Sequence, residues 1–360
     1  MSTTPVVPTP SAQPLPTSAG GRPVLSIAVP CYNSADYMDH CIESLLGTDG
    51  LEVIIVDDGS TRDATPDKAD AWAAAYPGQI RVIHQPNKGH GGAVNAGLAA
   101  ARGRYFRVVD SDDWLDRDAL RLLMTMLRRF IATGNEVDLI VTNYVYEHVA
   151  SGTRKVIDYR GALPTNRVID WNGIGRFGPG QNILMHAATY RTEVLRGCGL
   201  TLPEHTFYVD NIFVYVPLPS VRSLYYLPVD LYRYFIGRDD QSVNERVMVG
   251  RLDQQMRITV IMVEAHPLPG RVEPPKLAHY MEDYLALIVS ASSCLALVKG
   301  TPDAIEARAQ MWRDIHDHDP ALAARLGRHA MVLGANLSGP WGRRLSLAGY
   351  RLAQRLYRFN

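Results

Sequence analysis

"YFRVVDSDDWLD", residues 105–116, carries a run of strand character into a knot of acid: Asp110, Asp112 and Asp113 crowd together directly after Val109. Carboxylates this close raise one another's pKa unless a cation neutralises them. Hard oxygen donors of this kind select Mg²⁺ or Mn²⁺, and Mg²⁺ is commonly held by a carboxylate or two plus the phosphates of a substrate. The competing reading makes Asp112 and Asp113 the cap of the helix that follows, where acids are favoured. Capping accounts for one or two of these acids, and three follow the strand.

Working outward, the alternation of apolar run and helix recurs upstream. "VLSIAV" (24–29) precedes a helically spaced stretch at 34–46, with Ser34 in the N-cap position. "LEVIIVDD" (51–58) precedes another around 64–76, and "IRVIH" (80–84) one around 91–101. Strands alternating with helices at this interval predict an α/β fold, a mostly parallel sheet with helices on both faces. Right-handed crossovers line up the loops that follow the strands along one edge, where open α/β sheets bind their ligands. Asp57–Asp58 and Asp110–Asp113 both fall there. A helix at 116–132 leads to the strand-like "VDLIVTNYVYEHV", a polar Gly-rich stretch to 182, and two further strand-like runs, "ILMHAATY" and "SLYYLPVDLYRYF". After about residue 240 the period is helical.

A formal net charge of zero offers no overall field for nucleic acid. Cys31, Cys41, Cys198 and Cys294 have neither metal-type spacing nor disulfide density, and fit reduced thiols of a cytosolic protein. The first twenty residues hold five prolines and no charge, without the basic and apolar regions of a signal peptide. The expected division is a disordered tail over 1–22, a nucleotide-binding domain over 23–240 and a helical region over 241–360. The apolar "YLALIVSASSCLALV" (284–298) falls short of the roughly 20 residues of a membrane span and reads as a core helix.

Two more motifs sit at the sheet edge. In "VIIVDDGST" (53–61) a carboxylate can accept from a nucleobase N–H or ribose hydroxyls, although "DGS" is also a good turn. In "NKGHGGAVNAGL" (87–98), glycines before a helix let the backbone approach a ligand, the helix N-terminus favours phosphate, and Lys88 adds charge. Val94 stands where a dinucleotide fingerprint has its third glycine, which disfavours an NAD-dependent oxidoreductase.

Taken in order, "SIAVPCYNSADYMDHCIESLL", "VIIVDDGSTRDAT", "NKGHGGAVNAGL" and "RYFRVVDSDDWLD" resemble the family 2 glycosyltransferases of the GT-A fold, strongly over 24–120 and faintly to about 245. The resemblance implies a GT-A-type nucleotide-binding sandwich, a nucleotide-sugar donor with UDP as the expected nucleotide, a Mn²⁺ or Mg²⁺ ion, and inversion at the anomeric carbon. Carried over by position, Pro30 and Tyr32 line the nucleobase pocket and Asp58 bonds the base. Lys88 and Gly89 lie on the donor side. Asp110 and Asp112 match the family's D-x-D. One of Asp112 and Asp113 ligates the metal while its neighbour touches the ribose. "LPEHTFYVDNIFVYVPL" (202–218) resembles the family's acceptor-side helix, which makes Asp210 the candidate catalytic base. Val209 replaces the Glu that commonly precedes it, and Glu204 and His205 are nearby substitutes. Asp210 equally suits the N-cap of "NIFVYV". "RYFIGRDDQSVN" (233–244) stands where relatives carry a loop that closes over the diphosphate, so Arg238 and Gln241 are expected diphosphate or acceptor contacts. The Q-x-x-R-W signature of processive members is absent, which implies transfer of a single sugar.

The last stretch, "GPWGRRLSLAGYRLAQRLYRFN" (339–360), holds five arginines and no acid. It reads as a basic amphipathic helix on the inner face of the cell membrane, or as a terminal helix docked by its apolar face on the core. The expected function is an inverting, metal-dependent glycosyltransferase, cytoplasmic and peripheral at the membrane. Its acceptor is a hydroxyl of a cell-envelope, polysaccharide or lipid-linked molecule. Two alternatives stand beside it. A sugar nucleotidyltransferase wants a Gly-rich, Lys/Arg-bearing loop where this chain has "PCYNSADY". A non-catalytic nucleotide-binding or scaffold protein is kept in play by the missing Glu before Asp210.

Overall fold

Strands β1 (Leu25–Cys31) and β2 (Leu51–Asp57) are buried at every position, as strands covered by helices on both faces must be. Their structure comes from a computed structural model that describes residues 21–149, 151–178, 181–237, 245–266, 274–337 and 339–357. The expected disordered tail lies, over residues 1–20, outside the described residues, as do Arg238 and Gln241. Strands β3 (Ile80–His84) and β4 (Tyr105–Val108) complete a parallel block in the order β3-β2-β1-β4. Helices α1 (Met38–Leu45), α2 (Thr65–Ala75) and α3 (Gly89–Ala100) make the crossovers. α1 begins later than expected, with Tyr37 at its N-cap. The Ser34 carbonyl accepts from Tyr37 and Met38 N–H, which spends Ser34 on a turn ahead of the helix.

The chain continues through β5 (Trp114–Leu115), α4 (Arg117–Ala132), β6 (Leu139–His148), β7 (Thr153–Ile157), β8 (Val168–Ile169), β9 (Ala188–Arg191), α5 (Thr192–Gly197), α6 (Val209–Tyr215) and β10 (Leu224–Ile236). The sheet extends from β4 as β9-β6-β10-β5. Strand β9 is antiparallel to both β4 and β6, while β6 and β10 run parallel along ten paired positions. The sheet is therefore mixed, parallel between its long strands and antiparallel at β9 and at the short β5, β7 and β8. Helix α4 buries Leu120, Leu123, Met124, Leu127 and Phe130 at helical spacing. Its cap is Asp116, whose side chain accepts from Ala119 N–H at 3.0 Å. Asp112 and Asp113 are thus not its caps.

Because β1 lies between β2 and β4, strand order reverses there, and the loops leaving β1, β2 and β4 share one edge of the sheet, where open α/β sheets bind ligands. The C-terminal region adds α7 (Glu245–Gly250), α8 (Leu252–Glu264), α9 (Pro275–Lys299), α10 (Pro302–His318), α11 (Pro320–Arg328), α12 (Ala330–Ala335) and α13 (Gly339–Tyr357). α9 is long and apolar enough to cross a membrane, yet 72% of its apolar window is buried inside the protein, so it is a core helix. It is tied to the sheet domain by Tyr280, whose hydroxyl accepts from Ile183 N–H at 2.9 Å, and by Tyr284, which donates to Asn211 Oδ1 at 3.1 Å. The four cysteines are free thiols.

Candidate functional site

The acidic loop after β4 divides its side chains between two directions. Asp113 turns inward: its Oδ2 accepts from the Tyr232 hydroxyl at 2.6 Å and its Oδ1 from Phe235 N–H at 2.8 Å. The same hydroxyl accepts from Asp110 N–H at 3.2 Å, so β10 fixes both backbone and side chain of the loop. Burial, reinforced by Asp112 and Asp110, pushes Asp113 well above the usual carboxylate range.

Asp110 meets two histidines. His90 Nε2, at the start of α3, lies 2.7 Å from its Oδ1, and His186 Nε2 lies 3.9 Å from its Oδ2. Burial works against the charged form of Asp110, but the histidines outweigh it and hold its pKa well below the usual range. In His90 burial likewise opposes the charge, and Asp110 raises its pKa on balance. His186 is buried, its ring 4.6 Å from that of Tyr232 and 4.9 Å from that of Tyr234, and its Nδ1 has no hydrogen-bond partner among the described residues.

Beneath His186 lies Arg107, the one polar residue of an otherwise apolar strand and fully buried. It donates to the His186 carbonyl oxygen and, at 2.9 Å, to Thr189 Oγ1, and its guanidinium sits 5.5 Å from the Tyr232 ring. Burial lowers its pKa to about 10, which leaves it charged at neutral pH. Arg107 is a strut for the 3₁₀ turn Met185–Ala187 that carries His186.

Donor atoms of Asp110, Asp113 and His186 all lie within 4.8 Å of one another. Two carboxylates and an imidazole with an orphaned nitrogen fit a divalent cation that accepts both oxygen and nitrogen, Mn²⁺ more readily than Mg²⁺. The converging donors are therefore Asp110, Asp113 and His186, where the sequence offered Asp112 and Asp113. Asp112 is half-buried on the same turn and does not join the set.

Asp210 faces this cluster from α6. Burial raises its pKa above the usual carboxylate value, His186 and then His90 pull it back, and Asp110 pushes it up again. The N-cap of α6 is Tyr208, in the left-handed region at φ 65°, so Asp210 sits in the first turn and does not cap. Glu204 and His205 are exposed and engage Lys88 instead: Glu204 Oε1 lies 3.1 Å from its Nζ, and His205 N–H donates to its carbonyl at 2.8 Å. The loop carrying these residues holds two left-handed non-glycine residues, His205 and Tyr208, a strain that must be held from outside. On one side Asn95 bonds both the N–H and the carbonyl of Leu202, at 2.9 and 2.8 Å. On the other, α8 supplies Gln254, accepting from Phe207 N–H at 2.8 Å, and Arg257, donating to Thr206 Oγ1 at 3.0 Å.

The glycines after β3 serve that packing. A Cβ on Gly89, at φ +73°, would stand 2.9 Å from His205 N, and one on Gly91 would fall on the Pro203 carbonyl oxygen. The close approach expected of Gly89 is to this loop, and Lys88 directs its ammonium to Glu204. What α3 presents to the acids is His90. On the nucleobase side, Pro30 is buried at the end of β1 and Tyr32 is exposed beside it, with the Arg62 guanidinium 5.8 Å from its ring. Asp58 is buried: its Oδ1 accepts from Gln85 Nε2 at 2.7 Å and Lys88 N–H at 2.9 Å, and its Oδ2 has no partner among the described residues. Neighbouring Asp57 is fully engaged by Ser60 N–H and His84 Nδ1.

Residues 26–182 match the family model described as glycosyl transferase family 2. The chain is 32% identical over 235 residues to the putative glycosyltransferase EpsH of Bacillus subtilis (strain 168), covering 59% of this chain and 61% of that protein, less than two thirds of its length. It is 27% identical over 304 residues to the uncharacterized glycosyltransferase YibD of Escherichia coli (strain K12), 81% of this chain and 83% of that one. Among solved structures, TarS 1–349 of S. aureus in complex with UDP-GlcNAc superposes with a TM-score of 0.61 at 18% identity, over 93% of this chain and 91% of that chain. The mixed sheet followed by a helical C-terminal region is thus the fold of GT-A glycosyltransferase structures. The family-model match thus makes residues 26–182 a glycosyl transferase family 2 domain.

Proposed function

We propose that the chain is an inverting, metal-dependent glycosyltransferase that moves one sugar from a UDP-sugar to a hydroxyl of a cell-envelope, polysaccharide or lipid-linked acceptor, working at the cytoplasmic face of a membrane. The observation that carries this reading is the convergence of the Asp110–Asp113–His186 donor set with Asp210 where strand order reverses. UDP is the nucleotide in the complex of the S. aureus protein that shares the fold.

In this mechanism Asp210 accepts the proton of the acceptor hydroxyl as its oxygen bonds to the anomeric carbon. The bond from that carbon to the diphosphate oxygen breaks on the opposite face, and the nucleoside diphosphate leaves. Proton transfer of this kind contributes about 10²–10⁴-fold. Burial makes Asp210 a stronger base than an exposed carboxylate, while His186 and His90 favour its ionised form. His90 keeps Asp110 ionised, and Tyr232 holds Asp113 in place. Asp110, Asp113 and His186 would hold a divalent cation, which supplies charge neutralisation for the leaving diphosphate. In this reading Asp58 accepts from the nucleobase through Oδ2, its Oδ1 being held by Gln85 and Lys88.

Asp210→Asn tests the reading: transfer is expected to fall by at least about 100-fold while donor affinity is unchanged. Full transfer by this variant moves the base elsewhere. Donor binding without turnover in the unsubstituted protein supports the scaffold alternative.

A further inference from the structure

The terminal helix is docked inside out. α13 packs on α9 and α12, burying Ser346, which is 3% exposed and whose hydroxyl has no hydrogen-bond partner among the described residues. Gly342 lies against Leu337 on the same side. Three large apolar residues face away, Trp341 at 75% exposed, Leu345 at 63% and Leu352 at 57%, while Leu347 and Tyr350 are half-buried. At about 100° per residue, Trp341, Leu345, Ala348 and Leu352 fall in one stripe roughly 60° wide. Leu333 and Leu337, also exposed, stand just before it. Arg343, Arg344 and Arg351 are exposed on the same helix, and the Arg344 guanidinium lies 5.2 Å from the Trp341 ring. No acid occurs from 339 to 360.

A helix bordered only by protein and water docks its leucines and wets its serine. The inversion here leaves an outward face that is apolar along one line and cationic beside it. An occupant must be apolar and anionic together, and an anionic lipid leaflet is both. We propose that this face of α13 docks the protein on an anionic phospholipid surface, with Trp341 at the headgroup boundary, Leu345 and Leu352 in the acyl edge and the arginines on phosphates. This takes up the membrane placement proposed above, and it stands or falls separately from glycosyl transfer.

The test is sedimentation of the full chain with vesicles of phosphatidylglycerol and phosphatidylcholine, against phosphatidylcholine alone. Binding is expected to the anionic vesicles and to weaken as salt rises. Trp341→Ser combined with Leu345→Ser and Leu352→Ser abolishes it, and these exposed positions leave the melting temperature unchanged. Arg343→Gln with Arg344→Gln and Arg351→Gln weakens binding by roughly 100-fold, the combined contribution of three basic residues at a charged surface. The proposal is overturned if the unsubstituted chain stays in solution with anionic vesicles, or if the triple serine variant sediments as it does. A chain that ignores vesicles but forms a dimer dissolved by the serine variant would make this face a contact between copies.

Discussion

Asp210 works in a field set by its neighbours. Burial and Asp110 disfavour its charge, whereas His186 and His90 favour it, and the balance lies above the ordinary carboxylate value. A base acts only when deprotonated, so kcat/KM is expected to fall as pH drops through a single pKa above the ordinary value of about 3.9. A pH–rate profile from 4 to 8 checks this, and an acid limb at the ordinary value contradicts it. At this scale the acids were legible because a short polar cluster after an apolar run is a local signal. His186 was not, although a lone imidazole in "ILMHAATY" is the kind of signal that could have drawn attention. Its partners Asp110, Tyr232 and Arg107 arrive from distant strands, and only the sheet order brings them together. His90 was hidden in a motif whose glycines drew the reading toward phosphate.

Among the elements, α3 and the loop after α5 behave as one unit. Gly91 admits the Pro203 carbonyl, and Asn95 pins Leu202 on the next turn. The neighbour is backbone and cannot swing aside, so Gly91→Ala is expected to cost about 1–3 kcal/mol and to lower transfer by displacing the loop that carries Asp210. Gly78→Ala, which meets nothing within 4 Å, is the control. Thermal melts of both variants check the difference, and an unchanged melt for Gly91→Ala contradicts the packing. The long elements were legible from period and burial: β1, β2, β3 and α4 lie where apolar spacing puts them. The short antiparallel pieces were not. β7 is almost entirely exposed, β8 is two residues long, and both exist through pairing with β6 and β10 rather than through their own sequence.

Over the whole molecule, the helical region steadies the site it does not contain. Gln254 and Arg257 of α8 hold the loop before Asp210, and Tyr280 and Tyr284 of α9 hold Ile183 and Asn211. Where α6 meets the end of α8, the Tyr215 hydroxyl lies 2.6 Å from His266 Nδ1. Burial, with Arg325 adding to it, lowers the His266 pKa to about 4, against the lesser opposing pull of Asp319. The unfolded chain takes up this proton near pH 6.5 and the folded chain does not. Stability from this group is therefore full above that pH and falls by up to roughly 3 kcal/mol as pH drops toward 4. Denaturant midpoints at pH 7 and 4.5 check this: the drop should shrink in His266→Gln, and an equal drop in both proteins contradicts it. Neither this coupling nor the outward face of α13 was legible, since helical period tells which residues share a face but not which face the fold covers.

The central claim is that Asp110, Asp113 and His186 gather a divalent ion and a nucleotide diphosphate at one sheet edge. Its most direct measurement is thermal melting of the full chain against a panel of nucleotide sugars, in MnCl₂ and in EDTA. At least one nucleotide sugar should raise the melting temperature with Mn²⁺, lose that effect in EDTA, and lose it again in Asp110→Asn. If no nucleotide or nucleotide sugar shifts the melt in Mn²⁺ or Mg²⁺, the account is wrong.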